Sequence, residues 1–226
     1  MRFDTRVNFL YNLSMTKKVA LRTVLFFTAG GIFLLFVFFS YFVHKNTFTH
    51  FDFNTTVRLQ DHMPRRFDSF FSLLSLIGGF EVMGIVLLVL IIVRRKLFGV
   101  LTLLLFVGFH LFELYGKTFV KHLPPPEFML RTEQVGNFPR FHIRQENSYP
   151  SGHAGRAIFL TLFLGFWVVR SRKISYAHKV LILFILACYD IAMFVSRIYL
   201  GEHWATDVFG GILLGAALAL FSEVVL

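Results

Sequence analysis

Six apolar stretches, at residues 23–43, 70–93, 97–116, 151–169, 177–195 and 204–226, leave no length of chain from which a water-soluble domain could be built. Each is bounded by charged or turn-forming residues. Each also comes close to or exceeds the ~20 residues that carry a helix across a bilayer, where every backbone N–H and C=O has to be satisfied internally. The chain is 56% hydrophobic with 31 Phe, and its mean hydropathy is +0.65, too apolar for a soluble domain of 226 residues. The expected fold is all-α: a polytopic membrane protein, one domain over 1–226, with six transmembrane helices in one bundle. Stretch 23–43 exceeds the roughly 7 to 15 residues of a secretory signal core and is read as a retained helix.

The connections differ in length. Those at 94–96 and 170–179 are tight, whereas 44–69 and 117–150 are long loops. Alternation of six helices puts both long loops on one face, and both termini with the tight turns on the other. Lys and Arg divide twelve to ten between the faces, with Arg156 inside a helix, so the raw count does not orient the chain. Charge bias acts through short loops and helix ends, where Lys17, Lys18, Arg22 and the two tight turns weigh most. The termini are therefore expected in the cytoplasm and the long loops outside. The net charge of +10 does not imply a nucleic-acid partner, because the basic residues cluster at the ends of apolar runs. The expected partner is the bilayer. Cys188, the single cysteine, excludes an internal disulfide framework and a thiolate metal cluster. Gly211 and Gly215 form a GxxxG pair, expected to let helices within the bundle approach closely.

Two clusters carry chemistry, both on the long-loop face. Pro150-Ser151-Gly152-His153 opens the fourth apolar stretch, and Ser196-Arg197, followed by His203 and Asp207, spans the turn between the fifth and sixth. His203 and Asp207 are four residues apart and share one face of a helix that has begun by His203. A carboxylate on one ring nitrogen fixes the tautomer, frees the far nitrogen as a nucleophile and stabilises the cation formed on substitution. Ser151 and Gly152, at a helix N-terminus, offer unpaired N–H groups and a positive dipole end to a phosphate oxygen. His153, in the first turn, is placed to protonate a leaving oxygen. Arg197 suits a phosphate held by two oxygens, and Lys117 adds a point charge.

These residues resemble the type 2 phosphatidic acid phosphatase superfamily, whose motifs run KxxxxxxRP, PSGH and SRxxxxxHxxxD. The second and third are matched in full. Of the first, Lys117 and Pro125 align with its Lys and Pro, but Pro124 stands where its Arg belongs. The resemblance spans roughly residues 110–226, and the six-helix layout extends it over the rest. It implies a membrane lipid phosphatase, with the site at the extracytoplasmic helix ends and neither metal nor other cofactor. His203 is then the phosphorylated nucleophile, Asp207 orients it and His153 is the acid for the leaving group. Ser151, Gly152, Arg197 and Lys117 bind phosphate. Arg131 is the candidate substitute for the missing Arg, with Arg140 and Arg144 behind it.

Other polar residues are read as structural. Arg156 is expected to pair with an intramembrane acid, Glu113 or Asp190, since ionisable groups at depth face the bundle interior with a partner. Glu81 and His110 are placed with it. Lys121, His122, His142 and the Phe-rich stripes are read as interface anchors or lipid-facing surface. His122 and His142 share a loop without the ligand spacing of a zinc site. The expected function is hydrolysis of a membrane lipid phosphate or diphosphate through a phosphohistidine. The resemblance offers polyprenyl diphosphates, phosphatidic acid or phosphatidylglycerol phosphate, with undecaprenyl diphosphate first at a bacterial plasma membrane. The alternatives are a lipid phosphotransferase sharing the intermediate, and a lipid-binding or transport homologue. Phosphate release without an acceptor excludes the first, and label trapped on His203 excludes the second.

Overall fold

The computed structural model describes residues 4–94, 99–133 and 146–225. Among them lie eight α-helices and no strand: α1 (Asp4–His44), α2 (Thr49–His62), α3 (Asp68–Ile77), α4 (Phe80–Arg94), α5 (Gly99–Phe119), α6 (Gly152–Arg170), α7 (Tyr176–Tyr199) and α8 (Ala205–Val225). Short 3-10 turns occupy Arg65–Phe67 and Glu127–Met129. Five helices, α1 from Lys18 onward, α5, α6, α7 and α8, are long and apolar enough to cross a membrane. The sixth expected span is broken, because α3 and α4 meet at a 46° bend and amount to one crossing only together. Gly78 and Gly79 sit at the break, where two residues without side chains weaken the helix and let the backbone turn.

The bundle centres on α8, which packs most extensively against α6 and α1. Small residues set the α6–α8 distance. A Cβ on Gly211 would run into the Ser151 carbonyl and lie 3.2 Å from the Gly155 amide nitrogen, and one on Gly215 would run into the Gly155 carbonyl. The GxxxG pair thus seats one helix of the chain on another, as its spacing predicts. Phe36, Phe109, Tyr149, Phe159 and Leu214 fill the interior around this contact. Elsewhere large apolar side chains point outward, Phe27 and Leu34 at 70% exposure and Phe184 at 64%. Lipid solvates such a surface, which would be a liability in water, and the chain is an integral membrane protein.

Residues 44–69 are not a plain loop. They contain α2, whose inward face carries Asp52, Thr56 and Gln60 at four-residue spacing. Asp52 and Thr56 are buried. Gln60 donates to the carbonyls of Met129 (2.7 Å) and Tyr199 (2.8 Å). Phe51 and Phe53 face outward. A helix that is polar inside and apolar outside defeats the usual periodicity reading, which looks for an apolar face turned to the core. The chain after α5 is tied to the α7–α8 turn at Gly201. Gly201 has φ +68°, and a Cβ there would strike the Met129 carbonyl. Arg131 N–H donates to the Leu200 carbonyl at 2.9 Å beside it.

Candidate active site

α7 runs to Tyr199, a turn past its expected end, and so carries Ser196 and Arg197 on its last turn. α8 begins only at Ala205, leaving His203 in the connecting turn. That turn folds back because the N–H groups of Glu202 and His203 both donate to the Arg197 carbonyl at 3.2 Å. The expected contact forms: His203 Nδ1 faces Asp207 Oδ2 at 3.4 Å, and the Trp204 N–H donates to the same oxygen at 2.9 Å. The other carboxylate oxygen of Asp207 has a partner that sequence reasoning missed. His122 Nδ1 lies 2.7 Å from Asp207 Oδ1, and its Nε2 lies 3.6 Å from Asp52 Oδ2. Asp52 in turn accepts from the Thr206 amide (2.9 Å) and hydroxyl (2.7 Å), capping the start of α8.

His122 is buried and is not an interface anchor. Burial alone would depress its imidazole, but the hydrogen bond and charge of Asp207, with Asp52 behind, outweigh burial and hold the ring above its ordinary value. Burial pushes the Asp52 carboxyl above the usual carboxylate range, against the Thr206 hydrogen bonds and the charge of His122. The sequence signal for either residue was slight. His122 falls inside the unspecified spacer of the first motif, and Asp52 lies on a helix that polarity concealed.

His153 sits in the first turn of α6, within electrostatic reach of Arg197, Arg156, His203 and Lys117. The α3–α4 break makes room for it, since a Cβ on Gly78 would come 3.1 Å from His153 Cδ2. The carbonyl of Gly78 accepts from Arg156 Nε at 3.1 Å. Arg156 pairs as expected with an intramembrane acid, its Nη1 lying 3.2 Å from Glu113 Oε2. Glu113 also faces Lys117 (3.0 Å) and His110 (3.1 Å), whereas Asp190 is bonded by the Thr161 hydroxyl at 2.7 Å. The Glu113 carboxylate lies so close to Gly152 that a Cβ there would strike it. Ser151 N–H donates to the Asp207 carbonyl at 2.9 Å, and its buried hydroxyl has no hydrogen-bond partner among the described residues. An unsatisfied hydroxyl at a helix N-terminus is the kind of group that an incoming phosphate oxygen would complete.

Arg197 is fully buried, with Nη1 donating to Ser75 Oγ (2.8 Å) and Glu202 Oε2 (2.5 Å), and Nε to Ser196 Oγ (3.1 Å). Ser75, on the half-helix α3, and Glu202 were not foreseen. Arg131 stacks over the Tyr199 ring at 5.2 Å and donates to the Met63 carbonyl at 3.3 Å. The structure therefore brings His203, Asp207, His153, Arg197 and Lys117 together, with Ser151 and Gly152 at the start of α6. It gives Arg131 contacts with the ends of α2 and α7. Arg140, Arg144 and His142 lie outside the described residues. Among the described residues no group of three or more His, Cys, Asp or Glu side chains is arranged to hold a metal ion.

Comparison with known proteins gives three results. The PAP2 superfamily model matches residues 84–225. Phosphatidylglycerophosphatase B of Bacillus subtilis strain 168 is 34% identical over 71 residues, 31% of this chain; the chain spans about a third of that relative's length, 35%. Among solved structures, a transmembrane PAP2 type phosphatidylglycerolphosphate phosphatase from Bacillus subtilis superposes with a TM-score of 0.69 at 21% identity, covering 86% of this chain and 94% of its own. Aquifex aeolicus LpxE superposes with a TM-score of 0.55 at 24% identity, covering 76% and 94% respectively. These two structures share the fold.

Proposed function

The chain belongs to the PAP2 superfamily, and on that premise we propose that it removes phosphate from a membrane lipid phosphate or diphosphate through a phosphohistidine at His203. The observation that carries this reading is the meeting of two imidazoles within electrostatic reach of one another, His203 backed by Asp207 and His153 set among Arg197, Arg156 and Lys117. One imidazole with a carboxylate behind it is a nucleophile in waiting. The other stands among Arg197, Arg156 and Lys117, cations that a bound phosphate would offset so that this ring can carry a proton to the leaving oxygen.

In the first displacement the free ring nitrogen of His203 forms a bond to phosphorus, and the bond from phosphorus to the lipid-side oxygen breaks. His153 gives that oxygen its proton. In the second, His153 takes a proton from water, whose oxygen attacks the phosphohistidine and releases inorganic phosphate and free His203. Arg197, Lys117, the Ser151 hydroxyl and the first N–H groups of α6 hold the phosphoryl oxygens, because in phosphoryl transfer positioning and charge carry most of the catalysis. Arg131, which contacts the Tyr199 ring and the Met63 carbonyl, is the candidate for the place of the missing motif Arg.

The relatives named for phosphatidylglycerophosphate support a lipid phosphomonoester as substrate; phosphatidic acid is another such ester, and a polyprenyl diphosphate offers a terminal phosphoryl group whose leaving group is the lipid monophosphate. A panel of purified lipid phosphates assayed side by side ranks them. Basic tight turns favour cytoplasmic termini and a site at the opposite membrane face. Leu123 and Phe128, exposed at 73% and 81%, would meet the interfacial lipid there. The decisive experiment is His203→Ala in purified enzyme, expected to lower phosphate release by roughly 10⁴-fold or more and to abolish trapping of labelled phosphate. A chelator should leave the wild-type rate unchanged. Undiminished turnover in the variant, or loss with chelator and rescue by added metal, would overturn the scheme.

A further inference from the structure

We propose that His122 is a positioning residue of the reaction, fixing the Asp207 carboxylate so that its second oxygen is aimed at the His203 ring. The inference rests on His203 being the nucleophile.

A carboxylate turns about the bond joining it to its chain, and orients a neighbour well only when both oxygens are held. In the chain Asp52–His122–Asp207–His203, the shortest side-chain hydrogen bond is on the far side from the nucleophile, 2.7 Å from His122 Nδ1 to Asp207 Oδ1, while His203 Nδ1 stands at 3.4 Å. Asp207 has no proton to give when ionised, so both rings present N–H to it. With His122 on Oδ1 and the Trp204 N–H on Oδ2, the plane of the carboxylate is set before His203 engages it.

His122 is itself immobilised. Its N–H donates to Asn147 Oδ1 at 3.0 Å, and its carbonyl accepts from the Ser148 amide (2.8 Å) and hydroxyl (3.1 Å). Its Nε2 faces Asp52. The charged groups that act on its ring are Asp52 from α2 and Asp207 from α8. Beyond Asp207 lie His203 and the Tyr149 phenol, which the Asp207 charge also reaches. A cationic ring between the two buried carboxylates offsets the repulsion between Asp52 and Asp207. A neutral ring would leave that repulsion uncompensated.

The test compares His122→Asn, which can donate near the Nδ1 position but carries no charge, with His122→Phe, which keeps the volume and leaves Asp207 Oδ1 unsatisfied. Both are purified in detergent, checked for a monodisperse peak and a cooperative thermal transition, and assayed across pH. The expected result is a fall in kcat of about ten- to a hundredfold, as for a displaced catalytic group, steeper in Phe than in Asn. KM should stay within about twofold, because ground-state binding is untouched. The alkaline limb of the wild-type kcat profile should be absent in His122→Asn. Should His122→Phe fail to fold, the kcat and pH profile of His122→Asn decide alone. Wild-type kcat and an unchanged profile in His122→Asn would sink the inference, as would a loss confined to KM, which would place the ring against substrate. Failure of the underlying reading is separable: His203→Ala would then remain active whatever His122 does.

Discussion

Asp207 and Glu113 lie on either side of the α6 start, both buried, and the chain surrounds them differently. Asp207 is flanked by two imidazoles, His122 and His203, with a third acid, Asp52, behind the first ring. Glu113 is flanked by a guanidinium and an ammonium, Arg156 and Lys117, with His110 alongside. The first arrangement holds a carboxylate between two rings that can gain or lose protons. The second is an ion cluster whose acid holds two cations against the helix that receives the phosphate. Histidine pairs suit chemistry, because a ring can donate from one nitrogen while it reacts at the other. Arg and Lys around a carboxylate suit fixed charge inside a bilayer, where an unpaired ion is costly.

The largest expected effect tests whether the two acids really differ in kind. Asp207→Asn keeps shape but presents an amide to both rings, and activity should fall by roughly 10³- to 10⁴-fold, as when the orienting carboxylate of a catalytic triad becomes an amide. Thermal stability should change much less than activity. Glu113→Gln should do the reverse. It leaves Arg156 and Lys117 without their counter-ion, costing about 3 to 5 kcal/mol of stability as for one partner removed from a buried pair, while folded enzyme keeps most of its kcat. If Glu113→Gln folds normally and loses activity as steeply as Asp207→Asn, the distinction fails and Glu113 belongs to the reacting site.

A smaller effect sharpens the Glu113 side. Gly152 is the second residue of the PSGH cluster to be read as a phosphate ligand through its amide, yet its lack of a side chain also matters to Glu113. A Cβ would strike that carboxylate and lie 2.7 Å from Arg156 Nη1. Gly152→Ala should therefore destabilise by about 1 to 3 kcal/mol, the usual range for overpacking, through displacement of the ion cluster. Combining it with Glu113→Gln should give less than the sum of the two losses in a double-mutant cycle, because both act on one contact. Additive losses would mean that Gly152 serves the amide role alone.

What could be read in advance follows the same division. Spans were legible because lipid demands long apolar runs, and the two full motifs were legible because PSGH and SRxxxxxHxxxD put named residue types at helix ends. Asp52, Ser75 and His122 were not. Asp52 lies on a helix whose buried face is polar, so burial left no hydrophobic signature. Ser75 lies on α3, which composition joined to α4 and only the Gly78–Gly79 bend separates. His122 is defined by long-range contacts, 85 positions from Asp207 in the chain, and no local pattern encodes such a pairing. Arg156 was foreseen to pair with Glu113 or Asp190 because the cost of a charge at depth is local and general, and Thr161 in fact takes Asp190.

The smallest effect separates the two clusters by pH. His122 is held above its ordinary value of 6.5 in the folded chain, so its contribution to stability is complete below that value and is lost as pH rises through the higher folded value. Asp52 is also raised, and its effect falls at lower pH, above the ordinary carboxylate value of 3.8. The two are coupled through one contact, so the alkaline window belongs to the His122 proton and the acid window to the carboxyl side of the pair. Thermal midpoints in detergent, measured from about pH 6 to about pH 9, should decline in the wild type and decline less in His122→Asn. The Glu113→Gln variant should start lower but keep the wild-type slope, because it leaves the contacts of His122 with Asp207 and Asp52 in place. A slope that follows Glu113 instead of His122 would reverse the assignment of which buried acid handles protons.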